Sequence, residues 1–216
     1  HTIGRRQRQM CIRDRYRGAK AWGKFEWLVS QSQKRLDLKR VKLIKNIHSL
    51  SEESLILDVG CGNPTFLKAC QQKLKCKTIG IDFNDAGWKN QLHNFKKINL
   101  QVCEIKDLPS NLHPDVISMW HYLEHDYNPY ENLKALKKIC KPSTNLVIEV
   151  PNFDSTSRKK YAKNWAGWHT PRHLSLFSPN NIDLLLEKSG WKITQVFTYG
   201  TMLSLIHISE PTRHAS

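Results

Sequence analysis

The sequence predicts an α/β fold built on a mainly parallel β-sheet. From Ser49 onward, short apolar runs alternate with helical stretches, which places strands side by side and helices over both faces of the sheet. The run 55–59 is apolar at almost every position, as expected of a strand that is buried on both faces. Because ligands of such sheets bind beyond the carboxyl ends of the strands, the residues that follow each strand are the expected functional site.

The spacing of apolar residues, with glycine and proline at the boundaries, defines each element in turn. Helices are predicted over 26–48, 64–74, 129–140 and 180–189, and strands over 55–59, 78–82, 98–103, 116–120, 146–150 and 191–197. In the first helix, one face carries Leu36, Leu43, Ile44 and Ile47. We expect this face to dock on the domain and the basic face to be solvated; a helix that binds nucleic acid or a membrane surface is the alternative.

Composition and charge indicate a folded, soluble chain of one domain. The 216 residues are 39% hydrophobic and 25% charged, and no apolar run reaches the length of a membrane helix. The net charge of +15 suggests an anionic partner, but residues 1–50 supply most of it and 51–202 carry only +4. Nucleic acid is therefore an unexpected partner for the main domain.

The two ends of the chain have no apolar periodicity. Met10–Arg15 and Ser204–Arg213 resemble translated sequencing-adaptor read-through, with natural disordered tails as the alternative. The predicted organisation is a non-native or disordered tail over 1–15, an accessory helix region over 16–50, the main domain over 51–202 and a second tail over 203–216. The six cysteines form neither a C-x-x-C pair nor a zinc spacing, so we expect reduced thiols, a cytoplasmic protein and no metal site.

The most informative segment joins the first strand to the second helix. It places Asp58 two residues before Gly60 and Gly62, and Asp82 ends the next strand, where an acid can accept hydrogen bonds from ribose hydroxyls. A dinucleotide is a poor fit because Thr65 occupies the position of the third fingerprint glycine. A sulfonium ligand with an amino-acid tail fits better, since Asp58 can face its ammonium group.

These residues resemble the class I S-adenosylmethionine-dependent methyltransferases over about residues 50–200. The resemblance implies a Rossmann-like, doubly wound sheet and S-adenosylmethionine as the cofactor. Pro64 stands where the family has its third glycine. The resemblance also implies a set of cofactor-binding residues: Asp58, Gly60 and Gly62 in the first motif, Asp82 at the ribose, Phe83 against the adenine, Glu104 near the adenine amino group, and Trp120 at the end of the fourth strand.

Two further segments resemble methyltransferases of the ubiquinone-biosynthesis type, which act on small molecules. They are the W-H-x-L-E-H pattern that begins at Trp120 and the P-R-H-L pattern that begins at Pro171. The resemblance implies methyl transfer to a small molecule, with a hydroxyl as the expected acceptor. His121, His169 and His173 are the candidate bases. Some relatives carry E-x-x-E-H in this segment, which implies a divalent metal, but here His121 takes the place of the first glutamate. Helix capping and packing are the other interpretation of Glu124 and His125.

The loop after the fifth strand is expected to cover the substrate. Tyr161, Trp165 and Trp168 form its predicted apolar lid. The basic residues Arg158, Lys159, Lys160 and Lys163 suggest an anionic substrate, with a solvated basic turn as the alternative.

Two other functions stay open from the sequence. A nucleic-acid methyltransferase would carry an (N/D/S)-P-P-(Y/F) motif at the end of the fourth strand, where this chain has Ser118–His121. A non-catalytic remnant is favoured by Pro64 and by the end of the sheet, because the family's seventh strand is predicted to be missing or replaced by 205–208. A truncated domain of reduced stability is the corresponding expectation.

Overall fold

The computed structural model describes residues 23–199 and the backbone of 203–211. The chain divides into two compact units, His1–Cys103 and Glu104–Ser216. Both units combine helices with parallel strands, which confirms the α/β class. The predicted tail over 1–15 and residues 212–216 lie outside the described residues. Within the described part of the chain, no helix is long and apolar enough to cross a membrane.

Over its described residues, 23–103, the first unit has two α-helices and three parallel strands. The strands β1 (Leu55–Val59), β2 (Lys77–Asp82) and β3 (Asn99–Val102) lie in the order β3-β2-β1. Residues Leu55 to Val59 pair in register with Lys77 to Ile81. Four of the five β1 residues and five of the six β2 residues are buried, because each strand contributes to the core on both faces. This arrangement places the carboxyl ends of β1 and β2 side by side.

The helices of this unit are α1 (Glu26–Ile47) and α2 (Thr65–Leu74), and they pack against each other. The buried face of α1 consists of Asp37, Arg40, Val41 and Ile44. Of the four apolar residues that the sequence places on this face, Ile44 is buried and the other three are half-buried. The buried face therefore includes polar residues that the apolar pattern does not indicate, and Asp37 accepts hydrogen bonds from Gln33 and from Thr65, the first residue of α2.

The described part of the second unit has four strands and three α-helices. In chain order they are β4 (Val116–Trp120), α3 (Pro129–Lys138), β5 (Asn145–Pro151), α4 (Thr156–Tyr161), α5 (Pro179–Lys188), β6 (Trp191–Tyr199) and β7 (Leu203–Pro211). The strand order is β4-β5-β7-β6, in which β4 and β5 are parallel and β7 is antiparallel to both neighbours. Every residue of β4 and β5 is buried, so these two strands form the centre of the unit.

The strand β7 occupies the place of the family's seventh strand, which the sequence predicted to be missing or replaced by 205–208. It pairs with β5 from Asn145↔Ser209 to Pro151↔Leu203 and with β6 along its other edge. The run 203–208 is mostly apolar, as suits a strand between two others, and its backbone pairs with the N–H and C=O groups of both neighbours. The structure thus places a strand over Leu203–Pro211, within the segment 203–216 for which a non-native or disordered tail stays a prediction.

Candidate functional site

The turn after β1 has the geometry that its glycines predict. Gly60 and Gly62 adopt φ values of 71° and 51°, a region that residues with a Cβ enter only under strain. The backbone N–H groups of Gly60 and Cys61 both donate to the carbonyl of Ile81, at 2.8 and 3.0 Å. The turn is therefore fastened to the end of β2. Asp58, which precedes it, is only 3% exposed.

Asp82 lies beside this turn at the end of β2. Its Oδ2 atom accepts a hydrogen bond of 3.0 Å from the backbone N–H of Gly62, and the side chain is buried. Phe83 follows and is half-buried. The structure therefore brings Gly62 and Asp82 together, as the sequence predicts, on elements that are separate in the chain.

Pro64 is compatible with this turn. It caps α2, and its carbonyl accepts the hydrogen bond from Lys68 N–H at 3.0 Å. An N–H at this position has no partner within a helix, so the proline removes no helical hydrogen bond. Gly87 packs so closely on the other side of the turn that an added Cβ would collide with the carbonyl group of Gly62. A cradle of this kind, with a buried acid beside a backbone turn, suits a nucleoside with an amino-acid tail.

Two of the predicted cofactor residues belong to the second unit. Glu104 begins a short 3-10 turn over Ile105–Asp107, and its backbone N–H donates to the carboxylate of Asp107 at 3.1 Å. Its own carboxylate is exposed and lies 2.8 Å from Lys106 Nζ. Trp120 ends β4 and is 8% exposed.

His121 follows β4 and is held between two buried carboxylates. Its Nδ1 lies 3.0 Å from Glu124 Oε1, and its Nε2 lies 3.0 Å from Glu149 Oε1. Its backbone N–H donates to the Glu149 carbonyl, and φ is +54°, an uncommon conformation for a residue with a Cβ. Partial burial lowers the pKa of His121, but the two carboxylates outweigh it and raise the pKa to about 9.

This geometry does not favour His121 as the base. Both ring nitrogens face carboxylates, and the ring is protonated at neutral pH, so no lone pair is available to take a proton. Burial raises the pKa of Glu124, but the hydrogen bond from His121 and the charges of His121 and His125 together outweigh burial and hold the pKa below its ordinary value. The pair is therefore an imidazolium and a carboxylate.

The other two histidines lie together in the loop after α4. Their ring centroids are 5.1 Å apart. The Nε2 atom of His169 lies 2.6 Å from Arg172 Nη1 and accepts its proton, since a guanidinium can only donate. Nδ1 of His173 lies 2.7 Å from the Gly167 carbonyl, to which it donates. Burial lowers the pKa of His173, so its ring is neutral and its Nε2 carries a lone pair.

Folding also brings a third group of side chains together. Glu124, His125 and His173 each offer one ligand atom, and these atoms lie within 4.8 Å of one another. Nδ1 of His125 donates to the Arg172 carbonyl at 2.9 Å, just as Nδ1 of His173 donates to that of Gly167. The loop is tied to this group because Leu174 and Ser175 N–H donate to the Glu124 carbonyl. The group has the chemistry to hold a metal, although the sequence spacing predicts none.

The predicted apolar lid is instead a packed aromatic cluster. Trp165 is 2% exposed, and its ring contacts those of Phe153 and Trp168 edge to face. Tyr161 is 53% exposed and is not part of the cluster. The guanidinium of Arg158 lies over the Phe153 ring and donates to the Phe153 carbonyl, so this cation stabilises the loop. Lys159, Lys160 and Lys163 are exposed.

Sequence reasoning missed two residues. Glu149 lies in the middle of an apolar strand and is fully buried, a position at which a carboxylate is rare unless it is paired. An acid inside the run Leu146–Val150 is the signal that identifies it. Gly87 gave no signal, because its role depends on a contact with a distant turn.

The fold and the glycine turn are those of a methyltransferase, and comparison with known proteins agrees. The model of a family described as a methyltransferase domain matches residues 31–196, so the chain belongs to this family. It is 28% identical over 179 residues to a tRNA U34 carboxymethyltransferase of Cellvibrio japonicus. That match covers 75% of this chain, which spans about half the length of the relative (52%).

Solved structures share the fold. A SAM-dependent methyltransferase from Aquifex aeolicus superposes with a TM-score of 0.61 at 22% identity, covering 77% of this chain and 87% of that one. Human N-acetylserotonin methyltransferase, solved in complex with S-adenosylmethionine, gives 0.64 at 18% identity, with 91% and 58% covered. The chain is thus a methyltransferase enzyme that depends on S-adenosylmethionine as its cofactor.

Proposed function

We propose that this enzyme transfers the methyl group of S-adenosylmethionine to a hydroxyl of a small molecule. The observation that carries the proposal is the neutral ring of His173, whose Nδ1–H is held by the Gly167 carbonyl and whose Nε2 lone pair is left for chemistry. Deprotonation of a hydroxyl needs such a lone pair at neutral pH.

We assign cofactor binding in the first unit to the turn and the acid beside it. Asp58 faces the ammonium group, Gly60 and Gly62 let the backbone approach the methionine tail, and Asp82 accepts from the ribose hydroxyls. Phe83 packs on the adenine. Glu104 and Trp120 in the second unit stay predictions from the resemblance. When bound, the cofactor supplies a methyl group on a positively charged sulfur, which keeps the electron pair of the broken carbon–sulfur bond.

Of the three candidate bases, His173 is the one on which we expect deprotonation to depend. His121 is excluded by its two carboxylate partners, and His169 uses its Nε2 to accept from Arg172. The charge distribution supports a small acceptor, because residues 51–202 are close to neutral. The exposed lysines of α4 and of the turn that follows it (Lys159, Lys160 and Lys163) provide for an anionic group on that acceptor.

The test uses S-adenosylmethionine labelled in the methyl group. The protein is incubated with this cofactor and either a small-molecule extract or total tRNA, and the label is counted in each fraction. We expect label in the small-molecule fraction, and a loss of about 10²- to 10⁴-fold in kcat for His173→Asn without a change in cofactor affinity. His93→Asn, an exposed histidine outside the loop, is the matched control.

Labelling of the tRNA fraction would point to a different methyl acceptor. One similar protein is a tRNA U34 carboxymethyltransferase, so label in RNA would overturn the small-molecule proposal while leaving the enzyme class intact. Full activity of His173→Asn would instead overturn the role of this histidine.

A further inference from the structure

Arg172 is a cation of the loop after α4 that the proposed function does not use. It is half-buried and directly precedes His173, the proposed base. Its backbone is held on both sides, because its N–H donates to the His169 carbonyl at 2.8 Å and its carbonyl accepts from Nδ1 of His125 at 2.9 Å. The position of Arg172 relative to the base is therefore fixed by hydrogen bonds of the fold.

The guanidinium of Arg172 is linked to the base through a third side chain. Its Nη1 lies 2.6 Å from His169 Nε2, and the His169 ring packs edge to face on the His173 ring, with the ring centroids 5.1 Å apart. Burial is the main cause of the lowered pKa of His173, and the positive charge of Arg172 lowers this pKa further. The guanidinium and the base are thus close enough for one small molecule to contact both.

A guanidinium in this position is suited to an anion. His169 accepts its hydrogen bond as a neutral ring, so this bond does not compensate the positive charge of Arg172. The planar fork of N–H groups binds a carboxylate or a phosphate through two parallel hydrogen bonds. A bidentate bond of this kind also fixes the orientation of the anion, which the compact ammonium group of a lysine does not.

The other cations of this region are less suited to orienting an anion. The guanidinium of Arg158 lies over the Phe153 ring and donates to the Phe153 carbonyl, so it stabilises the loop. Lys159, Lys160 and Lys163 are exposed, and exposed ammonium groups attract an anion from solvent but hold it weakly. The lysines therefore increase the local concentration of an anionic acceptor, and its orientation depends on another residue.

We propose that Arg172 binds a carboxylate or phosphate group of the methyl acceptor while the hydroxyl of the acceptor lies against Nε2 of His173. The inference rests on the proposed function and narrows its substrate to a hydroxy acid or a hydroxylated phosphate ester. His173 takes the proton of the hydroxyl, the oxygen forms the bond to the methyl carbon, and the electron pair of the carbon–sulfur bond stays on sulfur. An anion near the hydroxyl raises the pKa of that hydroxyl, and the guanidinium offsets this effect.

The first measurement is anion binding, which does not need the natural acceptor. The ring C–H signals of His169 and His173 are followed by NMR at constant pH while the full chain is titrated with glycolate, inorganic phosphate or uncharged glycolamide. We expect a saturable shift with glycolate or phosphate and none with glycolamide. The anion that saturates the shift at the lower concentration identifies the preferred group.

Variants assign this binding to Arg172. We expect the shift to be lost in Arg172→Gln and kept in Lys160→Gln, the control, which removes an exposed cation of α4. If Arg172→Gln melts well below the wild type, the comparison uses Arg172→Lys, which keeps the charge without the fork. Absence of a saturable shift in the wild type, or an equal shift in the Arg172 variant, overturns the inference.

The second measurement is methyl transfer with the labelled cofactor. The small-molecule extract is first divided by anion exchange into a retained and an unretained fraction, and we expect label in the retained fraction. For Arg172→Gln we expect the KM of the acceptor to rise about 10-fold or more with a smaller change in kcat, because a charged hydrogen bond in the bound state is lost. This result differs from the loss of kcat expected for His173→Asn.

The outcomes separate the inference from the proposed function. Label confined to the unretained fraction overturns the anion site and leaves methyl transfer to a small molecule standing. Label in neither fraction, together with anion binding that depends on Arg172, overturns the proposed function and leaves the anion site standing.

Discussion

At the scale of single residues, His121 shows how a buried pair of acids decides the charge of a histidine. The two carboxylates come from different elements, Glu149 from β5 and Glu124 from the turn after β4. Each lies 3.0 Å from one ring nitrogen, so the protonated ring satisfies both. The folded state therefore binds a proton that the unfolded chain releases well below pH 9.

This raised pKa makes stability depend on pH. Because the pKa of His121 rises from 6.5 to about 9 on folding, its contribution is complete below about pH 6.5 and is lost as the pH rises through about 9. We expect the melting midpoint of the wild type to fall by a few degrees between these values, and that of His121→Asn to fall less. Thermal unfolding followed by circular dichroism measures both; parallel curves would contradict the prediction.

Asp82 is the residue for which structure and proposed role agree most directly. Its Oδ2 accepts a hydrogen bond from the backbone N–H of Gly62. The carboxylate that we assign to the ribose therefore also fixes the glycine turn. The side chain is 3% exposed, so an uncharged amide changes its hydrogen bonding with little change in volume.

We expect Asp82→Asn to weaken S-adenosylmethionine binding on the order of 10-fold or more, because the amide accepts more weakly than a carboxylate. Isothermal titration calorimetry measures the affinity. Asp85→Asn is the control, since this acid is half-exposed and its Oδ1 lies 3.8 Å from Lys89 Nζ. Equal affinities for the two variants would exclude Asp82 from the site.

At the scale of elements, the glycine turn depends on a close contact with another segment. Gly87 packs on the carbonyl group of Gly62. Because the contact is with backbone atoms, a Cβ added at Gly87 could not be accommodated by a change of side-chain rotamer. The turn is also fixed by its hydrogen bonds to Ile81. The shape of the turn therefore depends on its own glycines, on the end of β2 and on the segment around Gly87. Only the glycines form a recognisable sequence motif.

We expect Gly87→Ala to displace the turn and to reduce S-adenosylmethionine affinity by more than its effect on stability explains. Gly190→Ala is the comparison, because Gly190 has φ +83° in the second unit and its substitution strains the backbone by about 1–3 kcal/mol. Calorimetry and thermal unfolding are run on both variants. A binding loss in Gly190→Ala as large as that in Gly87→Ala would reject the contact as the cause.

At the scale of the whole molecule, strand β7 decides how the second unit is closed. Without it, β5 and β6 would each present an edge of unsatisfied backbone groups, and exposed edges favour aggregation. The antiparallel pairing supplies partners on both sides. Most of β7 also lies in the segment Ser204–Arg213, which resembles translated adaptor read-through. Deleting this strand measures what it contributes to stability.

We expect deletion of residues 203–216 to abolish cooperative unfolding or to lower its midpoint strongly, because the backbone groups of β5 and β6 lose their partners. Deletion of 212–216 alone, which leaves β7 intact, is the control. An unchanged melting curve after the longer deletion would show that β7 adds nothing to the stability of the fold.

Sequence alone determined the fold class, most element boundaries and the glycine turn, because each depends on residues that are neighbours in the chain. The strands β1 and β4 match their predicted ranges, since apolar runs between polar boundaries are local signals. Only the tertiary structure decided the state of each histidine. Glu149 reaches His121, and Gly167 and Arg172 orient His173 and His125, through hydrogen bonds between segments brought together by folding. Local periodicity carries no information about such contacts, and they determine which ring nitrogen has a lone pair.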